Sequence, residues 1–364
     1  MKRLAYCAVA CVTLLLISAC GGGGGGGSPT STMPTTPTPS SPTTDTAFSS
    51  NPSTSADAAH QAATATPAFG SVTQSSNVNV SGITTDAAQV TVSGERITLR
   101  VRRRDGSGFS LNTVDHLVDS SGVVTSPVTG RSWQSGLLFD YDADSFTVMR
   151  GAIDYSSDDI TDWMAGGYWL HARGNLDAGI VSAVEVGAFV DSPEISGPAN
   201  VPVSGTATYN GIAAGLYASQ YGSDVPGEQA GTIELGEYSG SFRAVADFSR
   251  GTVSGSVSNV VVDGVVTEPN GTVYAGYGPS PVRLELGPTS INSNGTFTGT
   301  DVRLIYPGFS FVHNEGSWGG RFSTIDDRAG DPRAVAGTHG GAATTSGGTE
   351  IVFTGAQFGA TPSF

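Results

Sequence analysis

The chain has 364 residues, 51 of them Gly, with 17 Lys and Arg against 32 Asp and Glu, a formal net charge of −15. That balance argues against a nucleic-acid partner, which needs a basic face to release counterions, and against electrostatic docking on anionic lipid heads. The length allows more than one folded unit.

Residues 1–19 read as a bacterial export signal. Lys2 and Arg3 form the charged start, Leu4–Ile17 the apolar core, and Ser18 and Ala19 a small-residue cleavage position. The core is too short for a mature membrane helix, which needs about 20 apolar residues. Ile17-Ser18-Ala19-Cys20 resembles the bacterial lipobox. The resemblance implies a diacylglycerol thioether on Cys20, cleavage before it and acylation of the new amino group. Two or more acyl chains make such anchoring stable. Cys7 and Cys11 would leave with the signal, so Cys20 is the sole cysteine of the mature chain and no disulfide is expected. Gly21, where lipoproteins retained at the inner membrane carry Asp, points to the outer membrane.

Residues 20–69 read as the lipidated cysteine and a disordered tether. Seven glycines, Gly21–Gly27, precede a stretch dominated by Ser, Thr, Pro and Ala, in which Asp45 and Asp57 are the only charges. Such composition cannot bury enough apolar surface to offset chain entropy. At about 3.1 Å per residue in its Pro-rich part, the tether reaches on the order of 100 Å.

Residues 70–200 read as a small β unit. Gln89–Ser93 and Arg96–Arg102 alternate as strands, Leu137–Tyr141 and Phe146–Met149 form another pair, Val184–Val190 is a continuous apolar strand, and a helical turn is placed near Ser156–Met164. Three features were weighed for function. Arg100, Arg102 and Arg104 share one strand face and read as a solvated face rather than an anion site. Asp140-Tyr141-Asp142-Ala143-Asp144 imitates a calcium loop, but Ser145 and Gly151 stand where Gly and a bidentate Glu are needed. Trp163 and Trp169 read as core.

From Val201 onward the chain is a row of short strands with turns between them, the pattern of a sandwich or barrel. The strands expected are Val203–Tyr209, Ile212–Tyr217, Gly236–Phe248, Gly251–Val262, Val282–Leu286, Gly295–Ile305, Gly316–Phe322, Arg333–His339 and Glu350–Phe358. Asn210-Gly211, Asp263-Gly264 and Asn294-Gly295 read as hairpin turns. Gly231, Gly236, Gly240, Gly251 and Gly255 suit the corners and coiling of a small barrel.

Gly205–Tyr217, Ala246–Gly255, Gly316–Phe322, Asp331–Gly337 and Gly347–Gly355 resemble, in order and spacing, the strands of the transferrin-binding-protein-B-like β-barrel. Upstream, Gly167–Leu170 and Val186–Asp191 resemble the segment that precedes it. The resemblance covers about 160–358. It implies an all-β protein with one lobe: a handle-like β unit at 70–200, then an antiparallel eight-stranded soluble barrel at 201–364. It further implies anchoring through Cys20 at the outer membrane, on the extracellular side. Transferrin receptors of this kind have two lobes and bind through variable loops that find no match here, so only fold and anchoring carry over. Iron or haem acquisition is implied at family level alone.

No G-x-S-x-G, P-loop or H-E-x-x-H motif is present. The five histidines (His60, His116, His171, His313, His339) are scattered, and His339 reads as a strand end. The expectation is a monomeric, non-enzymatic binding module with no catalytic residue, cofactor or metal site. Its partners would be the membrane, through the lipid on Cys20, and an unidentified extracellular protein or small ligand. The rival readings are an adhesive or structural surface lipoprotein and a solute-binding lipoprotein facing the periplasm. A membrane-embedded barrel would be favoured by the terminal Phe364, but Pro362 interrupts that end and no outward apolar band with aromatic girdles is evident.

Overall fold

The computed structural model describes residues 198–362, apart from 271, together with the strands between 62 and 191 and the side chains at 166–169 and 187–190. The export signal, Cys20, the Gly/Ser/Thr/Pro stretch, most of the helical-turn segment and Asp142–Asp144 lie outside the described residues.

Every element among the described residues is a strand. Upstream come β1 (Ala62–Pro67), β2 (Val78–Thr84), β3 (Ala87–Ser93), β4 (Arg96–Arg102), β5 (Gly108–Asn112), β6 (Leu117–Asp119), β7 (Val123–Thr125), β8 (Ser132–Tyr141), β9 (Ser145–Tyr155), β10 (Trp163–Asn175) and β11 (Ile180–Asp191). They form a β1–β2 pair, a β3–β4–β5 sheet and an antiparallel sheet in the order β11-β10-β9-β8-β6. Downstream come β12 (Thr206–Gln220), β13 (Ile233–Asp247), β14 (Thr252–Thr267), β15 (Val273–Pro279), β16 (Arg283–Ser290), β17 (Thr296–Gly299), β18 (Val302–Ile305), β19 (Phe311–Phe322), β20 (Ala334–Thr345) and β21 (Glu350–Ala360). The sheet path runs β17-β19-β20-β21-β12-β13-β14-β16-β18, with β15 attached to β14. It is an antiparallel, nearly closed barrel.

Nine strands lie on that path, one more than the eight expected. The extra strand comes from the segment read as one piece, Gly295–Ile305. It breaks at Thr300-Asp301 into β17, which pairs with β19, and β18, which pairs with β16. Across the remaining seam Asp301, just before β18, forms an isolated parallel bridge with Gly316 of β19, and a side chain holds the rest. Asn314 accepts from the Leu304 N–H at 2.9 Å and donates to the Leu304 carbonyl at 2.7 Å, imitating a ladder pair.

Two expected turns are not turns. Asn210-Gly211 lies inside β12, where Gly211 pairs with Phe242 on one side and Gly359 on the other. A Cβ there would stand 1.9 Å from the Phe358 carbonyl, so the glycine serves close strand approach rather than chain reversal. Asp263-Gly264 likewise lies inside β14, which continues to Thr267. Asn294-Gly295 is a turn, with Gly295 at φ +80°.

The strand period of two sorts β12 into faces. Ala207, Tyr209 and Ala213 enter the barrel core. Ile212, Ala214 and Leu216 face outward, where they meet Ala334, Ala336, Ala356, Phe358 and Ala360 of β20 and β21. This outer patch is covered by Tyr168, Ala188 and Val190 of β10 and β11, so the upstream sheet packs on the β20–β21–β12 wall. Trp169, read as core, is 2% exposed. On β13 the outer face is polar: Ser239, Ser241 and Arg243 are exposed. On β14, Asn259 at φ +53° marks a bulge, after which Val260 follows Val257 into the core.

Candidate site: a cup at one end of the barrel

The two ends of the barrel differ. At one end Tyr209, Phe248, Phe297, Trp318 and Phe322 meet in a chain of tilted and edge-on contacts, with ring centroids 5.0–5.9 Å apart. The Trp318 indole N–H donates to the Gly287 carbonyl at 3.1 Å. Ala199, on the segment entering β12, lies over this end and donates its N–H to Asn294 at 3.1 Å. These side chains pack against one another in the barrel core.

At the other end the barrel holds a cavity of about 320 Å³. Its wall is apolar: Val260, Val262, Pro281, Leu284, Leu304 and Ile351 among others. The rim is tied together. The Thr349 hydroxyl, in the β20–β21 turn, donates to Asp224 at 2.6 Å and accepts from the Gly222 N–H at 2.9 Å. The Ser223 N–H donates to the Gly347 carbonyl at 2.9 Å. The β12–β13 loop is thereby fixed to the turn that faces it.

One polar group stands out in the wall. Glu234, on the inward face of β13, accepts from the Tyr217 hydroxyl through Oε1 and from the Tyr221 hydroxyl through Oε2, each at 2.5 Å. Burial, then the neighbouring Glu234 charge and its hydrogen bonds, push both phenols above the ordinary tyrosine range, so they stay protonated and donate. The ring of Tyr217 lies on bare backbone. In the register Tyr217–Gly236–Gly264, a Cβ on Gly236 would stand 2.9 Å from its ring, and one on Gly264 2.6 Å from its hydroxyl.

The floor of the cup repeats this device. Tyr238, Gly215, Gly355 and His339 occupy one row across β13, β12, β21 and β20. Tyr238 passes over the two glycines, where a Cβ would stand 2.7 and 2.4 Å from its hydroxyl. It reaches His339 Nε2 at 2.5 Å. His339 Nδ1 in turn bonds Gln357 Oε1. The set is mutually satisfied when Tyr238 donates to Nε2 and Nδ1–H donates to Gln357. Burial lowers the imidazole from 6.5 to about 4, against the Gln357 bond that favours its charged form, so His339 is neutral at pH 7.

His339 was expected at a strand end. It lies mid-β20 and is fully buried, because β20 runs on to Thr345. No protein-family model matches this chain, and neither the curated proteins nor the solved structures contain a significant match. Sequence reading singled out Cys20, which lies outside the described residues, and none of the cup. The signal that could have found it was the placing of Gly215, Gly236, Gly264 and Gly355 inside alternating strands, where glycine weakens a strand unless something lies against the backbone.

Proposed function

We propose that this chain is a non-enzymatic binding module that takes a small ligand into the open end of its barrel, carried on a lipid at Cys20 on the outer membrane. The observation that carries the binding reading is the asymmetry of the barrel. One end is filled by aromatic rings, while the other keeps a cavity in the size range of small-molecule sites, with apolar walls and a few fixed polar groups. The hydroxyls there are already engaged: Tyr217 and Tyr221 with Glu234, Tyr238 with His339, Thr349 with Asp224. Each of these hydroxyls donates to a side chain of the wall or rim, so the polar groups are held in fixed positions from which a ligand can be oriented. The polar outer face of β13 fits a barrel that is not embedded in lipid. Anchoring, surface exposure and a role with iron or haem rest on the sequence and the family resemblance.

The test is a screen of small amphipathic molecules against the full chain by native mass spectrometry, beside Val225→Trp, which places an indole in the cavity from the rim loop. Hits that bind one per chain and disappear in the variant support the reading. Hits that bind both proteins equally would overturn it. Protease treatment of intact cells tests the location: release of the folded part by cleavage within residues 28–69 is expected. Full protection until the outer membrane is opened would move the protein to the periplasm.

A further inference from the structure

We infer that the cup selects a small organic cation, an amine or guanidine on an apolar body. The inference rests on the reading of the cavity as a ligand site and adds the charge of the ligand. Its first support is Glu234. A carboxylate oxygen has room for more than one donor, and each Glu234 oxygen receives a single tyrosine hydroxyl from the described residues. No Lys, Arg or His lines the cavity. Arg283 and Arg303, which adjoin the lining residues Leu284 and Leu304, are both at least half exposed and pair with Glu285 at 2.5 Å and Asp301 at 2.8 Å. The carboxylate therefore borders a largely apolar cup with no cation among the lining residues to pair with it.

The second support is the aromatic lining. Tyr217, Tyr221, Tyr238, Tyr306, Phe309 and Phe353 border the same space. Aromatic faces attract cations, more strongly when water is excluded. The third is the rim. Glu228, in the loop after β12, lies close enough to Tyr221 to raise its phenol further by its charge. Acidic groups around a low-dielectric cleft draw cations in and keep anions out. The apolar wall, not the carboxylate, would hold the body of the ligand, and this distinguishes the site from one for a bare metal ion.

Three probes of similar shape and different charge decide the matter: 2-phenylethylamine, 2-phenylethanol and 3-phenylpropanoate, titrated calorimetrically into the full chain. The amine is expected to bind at one site, at least tenfold tighter than the alcohol, with the carboxylate weaker still. Glu234→Gln keeps the shape of the side chain and can still accept from one tyrosine hydroxyl and donate its amide N–H to the other. It should remove most of the amine's advantage while leaving the alcohol unchanged. Equal or tighter binding of the alcohol or the carboxylate would overturn the charge selectivity and leave the cavity reading standing. An unchanged amine affinity in Glu234→Gln would do the same. If no probe binds, or if Val225→Trp binds all three as the unmodified chain does, the cavity reading itself fails. Should Glu234→Gln not fold, the ranking of the probes on the unmodified chain still decides.

Discussion

The closed and open ends of the barrel are made from the same strands, and they differ in what the inward positions carry. At the closed end β12, β13, β17 and β19 contribute Tyr209, Phe242, Phe297, Trp318 and Phe322, all at most 2% exposed, and they interlock. At the open end the inward tyrosines lie flat along the wall, because the rows facing them carry Gly236 and Gly264, or Gly215 and Gly355. A ring that lies on backbone leaves the middle of the barrel empty; one that meets other rings fills it. The difference teaches that cavity size in a small barrel is set by where glycines fall in the cross-strand register as much as by where large residues fall.

The largest expected effect belongs to the closed end. Trp318→Ala removes a fully buried indole and its bond to Gly287, and should cost about 3–5 kcal/mol in chemical denaturation. A loss under about 1 kcal/mol would show that this end does not hold the barrel.

Next comes the layer between the ends. His339 is held neutral, at about 4 against an ordinary 6.5. Above pH 6.5 neither the folded nor the unfolded chain protonates it, and its contribution is complete. Between 6.5 and 4 the unfolded chain takes up a proton that the folded chain refuses, so stability falls as pH falls, by on the order of 3 kcal/mol in all. Denaturation midpoints across this window should show that acid limb, and His339→Gln should flatten it.

The seam is a smaller test. Asn314→Ala deletes both bonds to the Leu304 backbone and should cost about 1–3 kcal/mol, with hydrogen exchange quickened at β18 before the rest of the barrel. At the open end Gly264→Ala pushes a Cβ against the Tyr217 hydroxyl and should cost about 1–3 kcal/mol, mainly by displacing that ring into the cavity. Ligand affinity should fall with it. The smallest stability effect is expected from Tyr221→Phe, about 0.5–1.5 kcal/mol, because its half-buried hydroxyl makes one bond. The comparison sharpens if variants at the closed end change stability alone and variants at the open end change binding more than stability.

Much of the strand layout was legible. Gly236–Phe248 and Gly251–Val262 correspond to β13 and β14, since two-residue alternation reports one buried face directly, and Glu350–Phe358 corresponds to β21, which is buried on both faces. The same alternation placed Gln89–Ser93 and Arg96–Arg102 on β3 and β4. What misled was Asn-Gly and Asp-Gly. At Asn294-Gly295 the pair reverses the chain; at 210–211 and 263–264 it does not, and the local sequence is equally turn-like in all three. The strand Val273–Pro279 is not legible in the sequence because two glycines and a proline interrupt its pattern, and its order comes from pairing with β14.

Alternation and turn residues by themselves determined a row of strands after Val201, a sandwich or a barrel, because each strand's face is written in consecutive residues. Only the tertiary structure decided that Tyr238 meets His339, 101 positions away, that Tyr217 and Tyr221 clasp Glu234, and that one end of the barrel is open. Those contacts depend on cross-strand register, which is fixed by how all the strands close together and by no single stretch of the sequence.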